Sequence, residues 1–397
     1  DGGSSHPCGG KLKYSFSSDT TDTSRTFGCA DIGDQPVNLW VTAENGAQSN
    51  CQTFVRILDP SGCCPAGVAY DVVGAIRTET GKKLAGVQVS LATCNHPPAT
   101  TDAKGEFIFH DIRAGASCNI LPFRNNDWLN GVTTADIVRI QRHILGLEKI
   151  PTPYRLIAAD ADHSGYLSTR DVSQLRRLIL GVIDAIPENT SFRFVPTEYA
   201  FADPENPFGS SFPEQFVMNK LSGPLSVGFY GIKTGDVNDS YASGTQTAGR
   251  QSGQLKLLAS WEEDEAHGRR VLHVIGQNLH EYASAQFTLQ FDPQVMPFHS
   301  IQCQPGHGFT EDNVNTLRAS KGFITVSWNG DAPPKAELFS LVFEAINVKH
   351  REAMVALNSE VTPALALNKR TGTEHGIQMD YRSGEERLAD DFSIEPN

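Results

Sequence analysis

The residues whose types and spacing point most directly to chemistry lie between positions 125 and 171. Asp160, Asp162, Ser164 and Asp171 set oxygen-bearing side chains at positions 1, 3, 5 and 12 of a twelve-residue loop, with Gly165 at position 6 and the apolar Leu167 at position 8. A hard divalent cation asks for six to eight oxygen ligands, and this spacing curls a chain around one, with Tyr166 offering its main-chain carbonyl from position 7. The chemistry implied is Ca2+ binding that orders the chain. The competing reading is an acidic turn that holds no ion. Val172, Leu175, Leu178 and Ile179 follow at helical spacing, so the loop leads into an amphipathic helix that Gly181 ends.

Thirty-five positions earlier the pattern recurs. Asn125, Asp127 and Asp136 repeat loop positions 1, 3 and 12, and aligning Asp136 with Asp171 matches Arg142, Ile144, Leu145 and Gly146 to Arg177, Ile179, Leu180 and Gly181. This is an internal duplication. The first copy departs at position 5, where Leu129 has no side-chain oxygen, and its glycine, Gly131, has moved to position 7. The first site is therefore expected to lean on carbonyls or water.

Two calcium loops, each with only its following helix, resemble a dockerin, the calcium-folded module that plugs into cohesins. A paired EF-hand is the alternative, but residues before Asn125 read as strand and those before Asp160 contain Pro151 and Pro153, so no helix is expected ahead of either loop. Where dockerins commonly carry a Ser-Thr recognition pair, just before the last acidic ligand, this chain has Thr134-Ala135 and Thr169-Arg170. A further half-loop, Gly235-Asp236-Val237-Asn238-Asp239-Ser240, opens like a calcium loop without its closing acid. It reads either as a segment that packs on the dockerin-like module and lends it Asp236 and Asn238, or as an Asx-rich turn, and composition favours the turn.

These loops need a scaffold, and a chain of 397 residues, 39% hydrophobic and 20% charged, has room for two to three folded domains rather than a disordered coil. Its net charge of −13 repels phosphate backbones and attracts cations, so no nucleic-acid partner is expected. No apolar run reaches the length that spans a bilayer. The chain begins at Asp1, which reads as a processed form or a fragment. Of the eight cysteines, seven lie before residue 119, without the short spacings of a zinc or redox site. An oxidising compartment and bridges Cys29–Cys51 and Cys94–Cys118 are expected, each stabilising its module by about 3 kcal/mol; buried reduced thiols are the alternative. The pairing of Cys8, Cys63, Cys64 and Cys303 stays open.

The expected fold class is mainly β and multidomain. Residues 1–62 show four short alternating runs, Leu12 to Phe16, Arg25 to Cys29, Val37 to Val41 and Cys51 to Ile57, with an Asn45-Gly46 turn. Four strands make half a sandwich, so its missing strands are expected from residues N-terminal to this chain, from a neighbouring β module or from another copy. The runs F-G-C-A-D-I-G and N-L-W-V-T-A-E-N-G resemble hyalin-repeat immunoglobulin-like modules. Residues 63–124, with G-A-I-R-T-E-T-G-K-K-L-A-G-V-Q-V and T-D-A-K-G-E-F-I-F, resemble carboxypeptidase regulatory-like sandwiches, which implies a rigid spacer. Residues 125–240 are then the dockerin-like module with an extension, and 241–254 a Gly/Ser/Gln linker. Residues 255–388 alternate in many short strands; A-Q-F-T-L-Q-F-D-P, V-S-W-N-G and L-F-S-L-V-F resemble cohesin-type sandwiches. Residues 389–397, with D-F-S-I-E-P-N, resemble the opening of the C-terminal sorting domain of type IX secretion cargo, removed as cargo leaves the cell; a disordered tail is the alternative.

No nucleophile elbow, zincin helix, P-loop or dinucleotide turn is present, so no catalysis is expected. Asn189-Thr190-Ser191 is a glycosylation sequon, and Asp19-Thr20-Thr21 resembles the O-glycosylation motif of type IX cargo. The reading is a secreted, calcium-stabilised structural or adhesive protein of the cell surface, whose copies join head to tail into a filament. The alternative is a carbohydrate- or scaffold-binding module of cohesin–dockerin type within a larger degradative protein, its partner a cohesin-type protein or a glycan, for which exposed aromatics in a row would speak; Trp328 alone is as well explained as core.

Overall fold

The computed structural model describes residues 10–58, 68–242, 254–264, 266–304, 308–344 and 355–381. The chain is mainly β, with three α-helices among the described residues, and forms two compact units, residues 1–124 with 194–200 and 212–231, and residues 125–193 with 201–211 and 232–397.

In the first unit, β1 (Leu12–Ser15), β2 (Gly33–Ala43) and β3 (Gln48–Ile57) make an antiparallel sheet in that order. The strand expected over Arg25 to Cys29 is not formed; Cys29–Asp31 is a short 3-10 turn, closed because the Asp31 carboxylate accepts from Gly28 N at 2.7 Å. Phe54 on β3 is 61% exposed, and its neighbours along the strand are exposed too, so the described residues supply this sheet with no second layer. The expected Cys29–Cys51 bridge is also absent: Cys51 is an exposed free thiol and Cys29 is disulfide-bonded elsewhere. The register explains why. Gly33 pairs with Ile57, which leaves Cys51 six residues back along β3, about 20 Å from the end near Cys29, well beyond disulfide reach.

A sandwich follows, with β4 (Ala69–Arg77), β5 (Gln88–Ala92), β6 (Ala99–Thr100), β7 (Glu106–Arg113) and β8 (Cys118–Phe123). Val72, Ile76, Val89, Leu91, Phe107, Phe109 and Ile120 alternate inward and are buried. Cys94 and Cys118 are bridged, with Cα atoms 5.7 Å apart, as expected. Residues 63–124 do not close this sandwich alone. The chain leaves β8 for the helices α1 (Thr134–Ile144), α2 (Pro153–Ala159) and α3 (Thr169–Ile179), then returns with β9 (Phe192–Pro196), β10 (Phe216–Met218) and β11 (Leu225–Lys233). These complete the two sheets, in the orders β10-β8-β5-β6 and β7-β4-β11-β9, with β11 parallel to β4. The stretch expected to be an extension of the calcium module therefore supplies sandwich strands, because its apolar Val227 and Phe229 alternate into that core.

In the second unit α2 precedes the second loop, where no helix was expected. Its proline, Pro153, is the first helical residue, where the missing N–H would have no partner anyway, and Thr152 caps it by accepting from Arg155 N. The C-terminal sandwich comprises β12 (Gln254–Asp264), β13 (Arg269–Gln277), β14 (Tyr282–Phe291), β15 (Phe298–Cys303), β16 (Val314–Asn315), β17 (Phe323–Asn329), β18 (Lys335–Glu344), β19 (Val355–Asn358), β20 (Leu365–Asn368) and β21 (Glu374–Tyr381). Their order is β15-β18-β13-β12-β21-β20-β14-β17-β16, with β19 on β14. The runs at 271–274, 285–291, 323–329 and 338–343 all fall within these strands. Leu257, Leu272, Phe287, Leu289, Val326, Trp328, Phe339 and Phe343 fill one core, so Trp328 is a packing residue. The linker segment 243–253 and the tail 389–397 lie outside the described residues.

Candidate metal centre

The second loop gathers its acids as the spacing requires. Asp160, Asp162 and Asp171 are buried, and one carboxylate oxygen from each lies within 4.8 Å of the others. The loop is shaped by its own main chain: Ser164 N donates to Asp160 Oδ1 at 2.9 Å and to Asp162 Oδ1 at 3.1 Å, Gly165 N donates to Asp160 Oδ2, and Ser164 Oγ donates to the Tyr166 carbonyl. Gly165 takes a positive φ of 79°, the left-handed turn that its position demands. Asp171 closes the loop, accepting from Asp162 N at 3.1 Å while its other oxygen caps α3 through Ser168 N at 2.8 Å. Asp162 Oδ2 is buried and accepts no hydrogen bond; Arg170 Nε stands 3.0 Å from it, outside hydrogen-bonding line.

The first site is assembled differently from its linear reading. Asn125 and Asp127 are exposed, and their side chains serve other partners: Asn125 Oδ1 accepts from Ser191 N at 3.0 Å and Asp127 Oδ2 from Asn130 Nδ2 at 2.9 Å. The closing acid Asp136 is instead faced by the half-loop 236–240. There Ser240 N donates to Asp236 Oδ1 and to Asn238 Oδ1, both at 2.9 Å, and Tyr241 N donates to Asp236 Oδ2 at 2.7 Å. This is the same hydrogen-bonding frame as Asp160, Asp162, Ser164 and Gly165. His163 and Asp239, at the fourth position of each frame, both take positive φ, 58° and 55°. Ser240 Oγ donates to the Gly131 carbonyl at 2.9 Å, as Ser164 does to Tyr166, so Gly131 supplies the position-7 carbonyl. Asp136 Oδ1 accepts from Val237 N at 3.0 Å while Oδ2 accepts from Thr133 N, the cap of α1.

A loop with the frame of the second one is thus split between two segments, 131–136 and 236–241. Asn130 and Ala242 bond each other through both polar ends, which fastens the segments together. Gly131 is required where they meet, because a Cβ there would stand 2.7 Å from both Asp236 Oδ2 and Tyr241 N. The half-loop was visible in the sequence, and its Asp-x-Asn-x-Ser spacing matches the second loop; what spacing along the chain did not reveal was its partner a hundred positions away. Asn189 also has a structural duty, its Nδ2 donating to the carbonyls of Asp160 and Ala161 at 3.1 and 3.0 Å, so a glycan at that sequon has to displace both bonds.

The residues fit a hard cation. Asp136 is fully buried; burial, and then the facing charge of Asp236, raises its pKa well above the carboxylate range, and burial pushes Asp171 up to about 6. Both groups are held where ionisation is costly unless a positive charge arrives. Their folded pKa values exceed the unfolded value of about 4, so the ion-free protein binds more protons folded than unfolded between those limits. Its stability is expected to rise as pH falls from 7 to 5, and chelator-treated samples melted at both values check this. A flat or opposite response contradicts the strained-carboxylate geometry.

No protein-family model matches this chain, and no curated protein matches it. Among solved structures, the seventh type I cohesin of ScaB from Pseudobacteroides cellulosolvens is similar over 34% of this chain and 96% of its own, at 11% identity and a TM-score of 0.26. The second type II cohesin of the adaptor scaffoldin ScaA from Acetivibrio cellulolyticus is similar over 32% of this chain and 93% of its own, at 14% identity and a TM-score of 0.26. A Clostridium thermocellum chain from the OlpA cohesin–dockerin complex is similar over 32% of this chain and 94% of its own, at 11% identity and a TM-score of 0.26.

Proposed function

We propose that the chain is a non-catalytic, extracellular structural and scaffold-type protein in which two Ca2+ ions order a dockerin-like joint beside a cohesin-like sandwich. One observation carries the reading: two loops of matching hydrogen-bonding frame, each closed by a fully buried aspartate that also caps the following helix. The capping explains what the ions do. Each draws its closing aspartate into the helix start, so binding fixes α1 and α3 in place. The Cys94–Cys118 bridge supports an oxidising location.

The glycan-binding form of the reading has less support. Among the described residues of the C-terminal sandwich no aromatic side chain is exposed, and Trp328 lies in its core. The uncovered β1–β3 sheet, with Phe54 outward, favours a neighbouring β module or another copy as partner there.

Calorimetric titration tests the proposal. Two calcium ions per chain are expected, and excess chelator is expected to lower the melting temperature by about 10 °C or more, since each site at a hundredfold excess over its Kd adds about 2.7 kcal/mol. Unchanged melting with no heat of binding would refute it.

A further inference from the structure

The helices and the C-terminal sandwich are bonded to each other through a sheet face that is polar in sequence and yet buried. Along β14 and β17, Ala285, Phe287, Leu289, Ile324, Val326 and Trp328 enter the core. The alternate residues Ser284, Gln286, Thr288, Thr325 and Ser327 lie on the other face, where such a pattern normally meets water. Each is 1% exposed or less.

The dockerin-like helices cover that face, with α1 packed on β14, β17 and β20. Thr134, at the start of α1, donates from N and Oγ1 to Gln286 Oε1 at 2.6 and 2.9 Å, and its hydroxyl lies 2.9 Å from Ser327 Oγ. At the end of α3, two carbonyls with no helical partner are taken up by the sandwich: Ile179 O accepts from Thr362 Oγ1, and Leu180 O accepts from Thr325 Oγ1 at 2.6 Å and Asn315 Nδ2 at 2.8 Å. Asn329 sits between, accepting from Arg176 and donating to Gln141 at 2.8 Å. Ala135 and Val138 pack on Leu367 and Ala283. Gln286, Thr325 and Ser327 are thus answered from the helical module, while the Thr288 hydroxyl bonds Thr362 within the sandwich.

We propose that the two modules are each other's partner within a single chain, an intramolecular clasp in which the polar sheet face receives this chain's own helices rather than those of another protein. The duplication shows how the docking edge is chosen. The docked edge carries Thr134-Ala135, with Ala135 small enough for the close contact, whereas the equivalent edge carries Thr169-Arg170 and is exposed. Only residues 243–253 connect the modules, and a tether that short gives a local concentration on the order of millimolar, which outcompetes a second copy at micromolar concentration. Joining of copies then has to use another surface. The clasp does not depend on the calcium reading, because it stands on contacts between the modules and is tested by their association.

A protease site placed within residues 243–253 of the full chain, cleaved in calcium buffer, provides the test by size exclusion with light scattering. The two pieces are expected to elute together at micromolar concentration. Ala135→Arg is expected to weaken their association about thirtyfold or more, as disruption at the centre of an interface does; Arg170 shows that arginine is compatible with that helix position. Ser327→Arg attacks the same contact from the sandwich side. Separation of the wild-type pieces on cleavage, or co-elution of both variants as firmly as wild type, overturns the clasp. So does an uncleaved chain whose mass doubles with concentration, since that is exchange between copies.

Discussion

If the proposed calcium reading holds, replacing Asp236 by alanine is expected to remove one of the two ions as completely as replacing Asp136, although a hundred positions separate them in the chain. The two carboxylates face each other across a buried space, and Asp136 accepts from Val237 N at 3.0 Å. Loss of either is expected to weaken that site more than about a hundredfold, since even outer-shell partners are worth ten to a hundredfold. Asn125→Ala and Asp127→Ala leave two ions bound, because both side chains are exposed and serve Ser191 and Asn130. Asp160→Ala removes the other ion only. Titration of these five variants checks the split loop: stoichiometry falling in Asp127→Ala and holding in Asp236→Ala returns the site to its contiguous form.

Trp328→Ala is the change expected to cost the C-terminal sandwich most. The ring is fully buried, among the apolar residues of β14, β17 and β18. Truncations of this size cost about 3–5 kcal/mol, and in a domain of this size each kcal/mol lowers the melting temperature by roughly 2–4 °C. On the proposed reading both ions are expected to stay bound in this variant, because the residues that would hold them lie within 131–171 and 236–241, outside the sandwich. A variant that melted like wild type would place the tryptophan on a surface and reopen the glycan reading.

The mainly β class, the Cys94–Cys118 bridge and the gathering of Asp160, Asp162 and Asp171 were legible because each is local. Period-two alternation is carried by neighbours, and a twelve-residue loop carries its own ligands in order. Four features escaped. The helix α2 was missed because Pro153 reads as a breaker unless it falls on the first helical residue, which only the Thr152 cap decides. The Cys29–Cys51 pairing failed because strand register, not the bracketing of a hairpin, sets which cysteines meet. The split site and the covered face of β14 and β17 are both long-range. Asp236 looked like a turn residue, and Gln286 and Thr325 looked solvent-facing, until tertiary partners gave them other work.

The divided loop also gives chain growth a direction. Asp136 leaves the ribosome long before Asp236 exists beside it, so the divided loop stays open until the strands of residues 192–233 have been made. Loop-closure entropy is charged at that late step, and it rises only slowly with length. Asp160 to Asp171, by contrast, can close as soon as it is made. One molecule thereby holds an early fastening and a late one.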